Sequence, residues 1–293
     1  MMHRRLPPWF TQKMPEPAAM HNMERLLREK SLHTVCESAL CPNTGQCFAG
    51  RTATFMILGD TCTRHCTFCA VKKGMPVMPD EKEPRRICEA MRILGLRYVV
   101  ITSVTRDDLV DGGASLFAQT VEALHEEDRD IGVEVLIPDF CGFVESLKIV
   151  ILAGPQVINH NIETVPGLYP EVRPDADYYR SIDLLSFVKM SAPEIITKSG
   201  LMVGLGETKD EVIGVMHDLR EAHCDLLTIG QYLQPSPKHY PVINFVTPEE
   251  FAEYEHIGLD MGFKAVASSP LVRSSYKAAE LYKRSKIFIT SFS

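Results

Sequence analysis

Apolar runs and amphipathic stretches alternate along most of this chain of 293 residues. Strand-like runs stand at 53–59 (ATFMILG), 97–103, 132–138, 156–163, 197–204 and 225–232. Between them, apolar side chains recur at the three- and four-residue spacing of a helix that buries one face. The clearest such stretches are 84–95, 114–127, 176–190 and 209–222, and another at 248–262 precedes a short run, AVAS. Strand followed by helix, repeated in this way, predicts βαβ units and a parallel sheet. Six units fit a partial (β/α)6 barrel of the TIM type, although an open six-stranded sheet would carry the same local pattern. No G-x-G-x-x-G follows the first run, so a dinucleotide-binding fold is not supported. The organisation expected is a leading segment at 1–50 with one helical piece at 21–36, a barrel core at 51–262 and a C-terminal extension at 263–293.

The cysteines change this picture most. Six of the nine fall between positions 36 and 69. Cys62, Cys66 and Cys69 are spaced C-x3-C-x2-C just after the first strand, where barrels of this kind keep their chemistry. Cys36, Cys41 and Cys47 stand upstream as C-x4-C-x5-C. Three thiolates can hold three corners of a [4Fe–4S] cluster and leave the fourth iron open to a small molecule. The competing zinc reading needs four closed ligands, usually in paired C-x2-4-C knuckles. His65, adjacent to Cys66, is poorly placed to complete one, so the spacing points to a cluster. Cys88, Cys141 and Cys224 are scattered and read as small core hydrophobes.

Composition sets bounds around that chemistry. Net charge is −7 and the pI about 5.8, which points away from nucleic acid as the main partner. No apolar run reaches the roughly 18 residues that span a bilayer. The N-terminal stretch has Arg4 and Arg5 but no apolar region behind them, so it does not read as a secretory signal. A cytoplasmic chain is the expectation, and dense cysteine in that compartment favours metal binding over disulfides.

The C-x3-C-x2-C motif, with Phe68 before its last cysteine, resembles the radical S-adenosylmethionine (SAM) superfamily. The upstream triplet, CTRHCTFC, NHNIETVPGLYPEVRP, KSGLMVGLGET, TIGQYLQPSPKHYPV and RSSY, in that order over about 35–278, resemble the lipoyl synthases within it. That resemblance implies a sulfurtransferase with two [4Fe–4S] clusters that uses S-adenosyl-L-methionine. The open iron of the cluster on Cys62, Cys66 and Cys69 would chelate the methionine end of the nucleoside, and one-electron cleavage would yield a 5′-deoxyadenosyl radical. The second cluster would sit on Cys36, Cys41 and Cys47, with Ser274 rather than Ser275 as its fourth ligand. Sulfur from this sacrificial cluster would enter at carbons 6 and 8 of a protein-bound octanoyl-lysine. A hard alkoxide is an unusual partner for iron–sulfur chemistry and would leave one labile corner.

The resemblance further implies octanoylated lipoyl carrier domains as substrates, on 2-oxoacid dehydrogenase acyltransferase subunits or on the glycine cleavage H protein. It implies reduced ferredoxin or flavodoxin as electron donor and an iron–sulfur carrier for cluster repair. Two positions depart from the family pattern: Lys277 stands where His is common, and Thr67 where Pro is common. Neither is an expected ligand. A biotin synthase-like enzyme would lack the upstream triplet and RSSY. A non-catalytic iron–sulfur or zinc protein would not cleave S-adenosylmethionine.

Other residues are placed by pattern. Asn161 and Glu163 alternate with Ile162, so both read either as facing the barrel mouth to hold the ribose or the methionine amine, or as a polar strand end that caps the following loop, while Ile162 packs outward. Gly204 and Gly206 would let backbone approach a ligand, with Thr208 as N-cap of the following helix. Thr102, Ser103 and Asp107 are expected to line the site. Arg64, Lys72 and Lys73 read as a basic patch, either solvated or attractive to an acidic carrier or electron donor.

Overall fold

The computed structural model describes residues 6–11 and 17–290. Parts of the predicted leading segment (1–5 and 12–16) and the last residues of the predicted C-terminal extension (291–293) lie outside the described residues. The strands are β1 (His33–Thr34), β2 (Thr54–Ile57), β3 (Thr61–Cys62), β4 (Lys72–Lys73), β5 (Tyr98–Ser103), β6 (Gly132–Leu136), β7 (Val157–Asn159), β8 (Ile196–Val203), β9 (Leu226–Gln231) and β10 (Ala265–Ser268). The helices are α1 (Pro17–Glu29), α2 (Val35–Ser38), α3 (Thr44–Ala49), α4 (Glu83–Leu94), α5 (Ala114–Glu127), α6 (Val144–Leu152), α7 (Tyr169–Val172), α8 (Tyr178–Ser191), α9 (Lys209–Glu221), α10 (Pro248–Asp260) and α11 (Ala278–Thr290).

The main sheet runs β1-β2-β5-β6-β7-β8-β9-β10. Every pairing from β2 to β10 is parallel, and β1 joins the β2 edge antiparallel. The sheet begins at β1 and ends at β10, a partial barrel. The six predicted strands are all present, and AVAS adds a parallel neighbour to β9 at β10. Two-residue β1 and four-residue β10 are too short to show a period. The predicted helix at 21–36 is broken after Glu29 to make room for β1. Helix α6 was not foreseen, because its run of Ile and Val reads equally well as strand.

Local chemistry fixes the helix ends. Thr208 caps α9 and Thr247 caps α10, each exchanging bonds with Glu211 and Glu250 in a capping box. Gly95 ends α4 at φ 67°, the left-handed turn that glycine adopts cheaply. The strands bury their apolar sides against the helices. Phe55, Ile57, Val99, Ile101, Val133, Val135, Leu227 and Ile229 belong to one continuous core. The barrel base is polar inside: Lys198 Nζ lies 2.8 Å from Glu134 Oε1, with both side chains shut away from water. Tyr98 OH and Asn159 Nδ2 also donate to Glu134, which satisfies a charge that would otherwise be costly to bury. No helix among the described residues is long and apolar enough to cross a membrane.

Candidate active site: two cysteine triplets on one cavity

A cavity of about 500 Å³ opens at the C-terminal ends of the strands. All six clustered cysteines line it, and so does Ser274. Two separate devices bring them there.

The first is the loop after β2. Leu58 leaves the strand in the left-handed region at φ 69°. Its N–H donates to the Glu83 carboxylate at 2.9 Å, and its carbonyl accepts from Arg106 at 3.2 Å. The chain is thus gripped where it turns toward the cavity. β3 pairs with β4 and sets Cys62 beside Lys73. Lys73 Nζ donates to Cys66 O at 2.8 Å. Thr67 donates its N–H to Val172 O at 3.0 Å, a bond that a proline could not make.

Between Cys62 and Cys66, Arg64 is buried at 5% exposure. It forks onto Asp107 at 2.7 and 3.0 Å and reaches Asp139 at 2.5 Å. Burial alone would raise the Asp139 carboxyl, but the Arg64 guanidinium more than offsets this and holds it at about 2. The grouping of Arg64 with Lys72 and Lys73 as a surface patch is therefore corrected: only the two lysines are exposed. Asp107 turns to Arg64 and Cys141 and is not on the cavity wall. Cys141 is exposed, with Sγ donating to Asp107 at 3.1 Å, so it is not a core residue, whereas Cys88 and Cys224 are buried.

The second device ties residues 34–47 to the segment at 271–276. Thr34 caps α2, which carries Cys36, and α3 carries Cys47. Thr44 Oγ1 lies 2.9 Å from Cys36 O and 2.8 Å from Cys41 O, drawing the triplet into one knot. Asn43 Nδ2 donates to Leu271 O at 2.7 Å, and Tyr276 OH to Gln46 Oε1 at 2.9 Å. These bonds seat the 271–276 segment, with Ser274 and Ser275, against the upstream cysteines. Gly200 and Gly230 open the space it crosses. A Cβ on Gly200 would come within 2.7 Å of Asn161 Oδ1 and 3.0 Å of Ser274 Oγ, and one on Gly230 would collide with the Val272 carbonyl.

Burial pushes the Cys36 and Cys69 thiols up to about 12 and raises those of Cys47 and Cys66. Buried thiols stay protonated until a metal displaces the proton. Among the described residues, no three His, Cys, Asp or Glu side chains converge on a point that would hold one ion. The donor set, soft sulfur in two sets of three around one cavity, is of the kind that iron–sulfur groups take.

Polar groups on the same wall suit a polar ligand. Asn161 Nδ2 lies 3.0 Å from Glu163 Oε1, and burial raises the Glu163 carboxyl. Asn161 Oδ1, Ser103 Oγ and Arg173 Nε are buried without a hydrogen-bond partner, which in a native structure asks for a ligand or water. Thr102 is on the wall but spends its hydroxyl on Leu136 O. Ile162 is fully buried in the core. β7 ends at Asn159, and Glu163 stands at φ 67°, bridged to Leu201.

Gly204 and Gly206 are not on the wall. Gly204 makes room for the Gln231 side chain and the Asn244 carbonyl instead, so its small size serves packing. Two charged cavity residues were missed. Arg173 donates to Asn161 O, Ile162 O and Tyr169 OH, and Arg273 precedes Ser274. Both lie inside the quoted sequence motifs, but a charged side chain gives no periodic sign of facing inward.

Comparison with known proteins follows the same line. The model of the Radical SAM superfamily matches residues 56–219. A lipoyl synthase from Caldanaerobacter subterraneus subsp. tengcongensis is 61% identical, covering 88% of this chain and 91% of its own. The lipoyl synthase of Caldicellulosiruptor saccharolyticus is 53% identical over 97% of this chain and 99% of its own. That of Aquifex aeolicus is 55% identical over 89% and 95%. Solved structures share the fold: a methylornithine synthase superposes with a TM-score of 0.53 at 14% identity, over 79% of this chain and 80% of its own. HydG, a maturase of the [FeFe]-hydrogenase, superposes with a TM-score of 0.55 at 15% identity, over 84% and 61%.

Proposed function

The chain belongs to the lipoyl synthase family of radical SAM enzymes, and we propose that it inserts two sulfur atoms, at carbons 6 and 8, into an octanoyl group held on a lysine of a lipoyl carrier protein. One observation carries this reading: six cysteines and Ser274, drawn from positions 36 to 274, line a single cavity. A structural scaffold has no use for seven such ligands facing one space.

Cys62, Cys66 and Cys69 would hold one [4Fe–4S] cluster and leave its fourth iron open. Cys36, Cys41, Cys47 and Ser274 would hold the second. When bound, these groups and S-adenosylmethionine supply the deoxyadenosyl radical that breaks the C–H bonds and the sulfide that replaces the hydrogens. The protein's side chains bind, orient and exclude water. Asn161, Glu163 and Ser103 offer hydrogen bonds to the nucleoside's amine and hydroxyls. Arg173 offers its free Nε–H and its charge to the carboxylate. Val104, Leu136, Ile137, Leu201 and Met202 make the apolar wall against which an acyl chain can lie. Lys72 and Lys73 stand exposed and would attract an acidic carrier or electron donor. In this reading the segments at 34–47 and 271–276, from the expected extensions at 1–50 and 263–293, flank the core at 51–262 and complete the second cluster's ligand set.

Paired variants test the assignment. Cys36→Ala should keep cleavage of S-adenosylmethionine and lose sulfur insertion, since the motif at Cys62 stays intact. Cys62→Ala should stop both. Lipoyl product from Cys36→Ala would exclude the upstream triplet as the sulfur source.

A further inference from the structure

Asn161 stands between the two halves of the cavity. Its Nδ2 donates to Glu163 Oε1 at 3.0 Å and to Ser274 Oγ at 2.7 Å, while Oδ1 is buried with no partner. A side-chain amide has two N–H donors and one carbonyl acceptor. With Glu163 ionised, its Oε1 can only accept, which fixes Nδ2 toward it and Oδ1 away. Both donors are therefore committed and the one open valence is the carbonyl. It faces the space beside Gly200, where a Cβ would be 2.7 Å from it.

We propose that Asn161 is a positioning residue that couples nucleoside binding to the attachment of Ser274 at the auxiliary site. This deepens the reading above and rests on it. A ligand ammonium or hydroxyl that donates to Oδ1 satisfies the buried carbonyl and holds the amide in the orientation that serves Ser274. Hydrogen bonds in series through one amide strengthen each other in a low-dielectric interior. The nucleoside thereby reinforces the Nδ2–H bond to the serine oxygen, which stabilises the deprotonated serine that a metal binds. By linkage, Ser274 in place must tighten nucleoside binding by the same factor. The serine would then be held firmly while the nucleoside is present and more loosely once it leaves.

The test is a double-mutant cycle read by equilibrium binding of S-adenosylmethionine, without reductant, to the cluster-loaded enzyme. The four proteins are wild type, Asn161→Ala, Ser274→Ala and the double variant, each checked for its nucleoside-binding cluster by electron paramagnetic resonance. Ser274→Ala is expected to weaken binding about 5-fold, the low end of ordinary coupling, and to add nothing once Asn161 is Ala. Losses that multiply independently overturn the proposal. A second reading needs no variant. S-adenosylmethionine added to wild-type enzyme should alter the Mössbauer signature of the oxygen-ligated iron, and an unchanged signature contradicts the coupling. If two sulfurs are still inserted while the losses multiply, only the coupling fails and the proposed function stands.

Discussion

Asp139 bridges two arginines, accepting from Arg64 at 2.5 Å on one oxygen and from Arg180 at 3.2 Å on the other. This carboxylate, in the loop after β6, therefore ties the loop between Cys62 and Cys66 to helix α8. The loop owes its shape to a charge pair far away in sequence as well as to its own turns.

Asp139→Asn should cost about 3 kcal/mol in denaturant unfolding, because it strips a partner from a buried guanidinium. Arg64→Lys should also destabilise the protein, since an ammonium cannot fork onto Asp107 and reach Asp139 together. The Asp139 carboxyl, held at about 2, adds stability that is complete above the ordinary carboxylate range near pH 4 and is lost as pH falls toward 2. A midpoint for Asp139→Asn equal to wild type would show that the bridge does not anchor the loop.

Two buried groups should act in opposite directions with pH. Burial raises Glu83 to about 7, so its folded form favours the proton and stability falls as pH rises from roughly 4.5 to 7. Burial, with Arg173 nearby, lowers His160 to about 4, so stability falls as pH drops from roughly 6.5 to 4. Each shift is worth ~3 kcal/mol across its window. Wild type should therefore be nearly flat where the windows overlap. Glu83→Gln should unmask the histidine, giving a protein that weakens as acid is added. Urea midpoints at pH 5 and 6.5 read this directly, and equal midpoints in Glu83→Gln would contradict it.

Gly230→Ala puts a methyl where the Val272 carbonyl lies, and backbone on both sides leaves no rotamer to yield. The 271–276 segment should be displaced. We expect 1–3 kcal/mol of destabilisation, as for other overpacked sites. Reconstituted iron should fall while the cluster at Cys62 is retained. Full loading at both sites would mean that the segment is not held through this crossing.

The barrel was legible because each strand and helix carries its own period. Both cysteine triplets stood out in the sequence, one by its spacing and the other by its place in the family pattern, and the structure brings the six thiols to one cavity. What escaped was long-range. Nothing in CTRHC says that Arg64 turns inward, since its partners Asp107 and Asp139 come from the loops after β5 and β6. Gly204 looked like a ligand approach because glycine permits one, yet the Gln231 side chain uses the space. Gly200 and Gly230 gave no signal, because what they make room for lies dozens of residues away along the chain. Arg173 was hidden in the same way, by bonds to backbone at Asn161 and Ile162 that no pattern announces.

The most direct measurement is mass spectrometry of an octanoyl-lysyl peptide incubated anaerobically with the cluster-loaded protein, S-adenosylmethionine and a strong reductant. Gain of two sulfurs, with 5′-deoxyadenosine formed alongside, is the predicted result. Formation of 5′-deoxyadenosine with no sulfur in the peptide, from protein shown to hold both clusters, would contradict it.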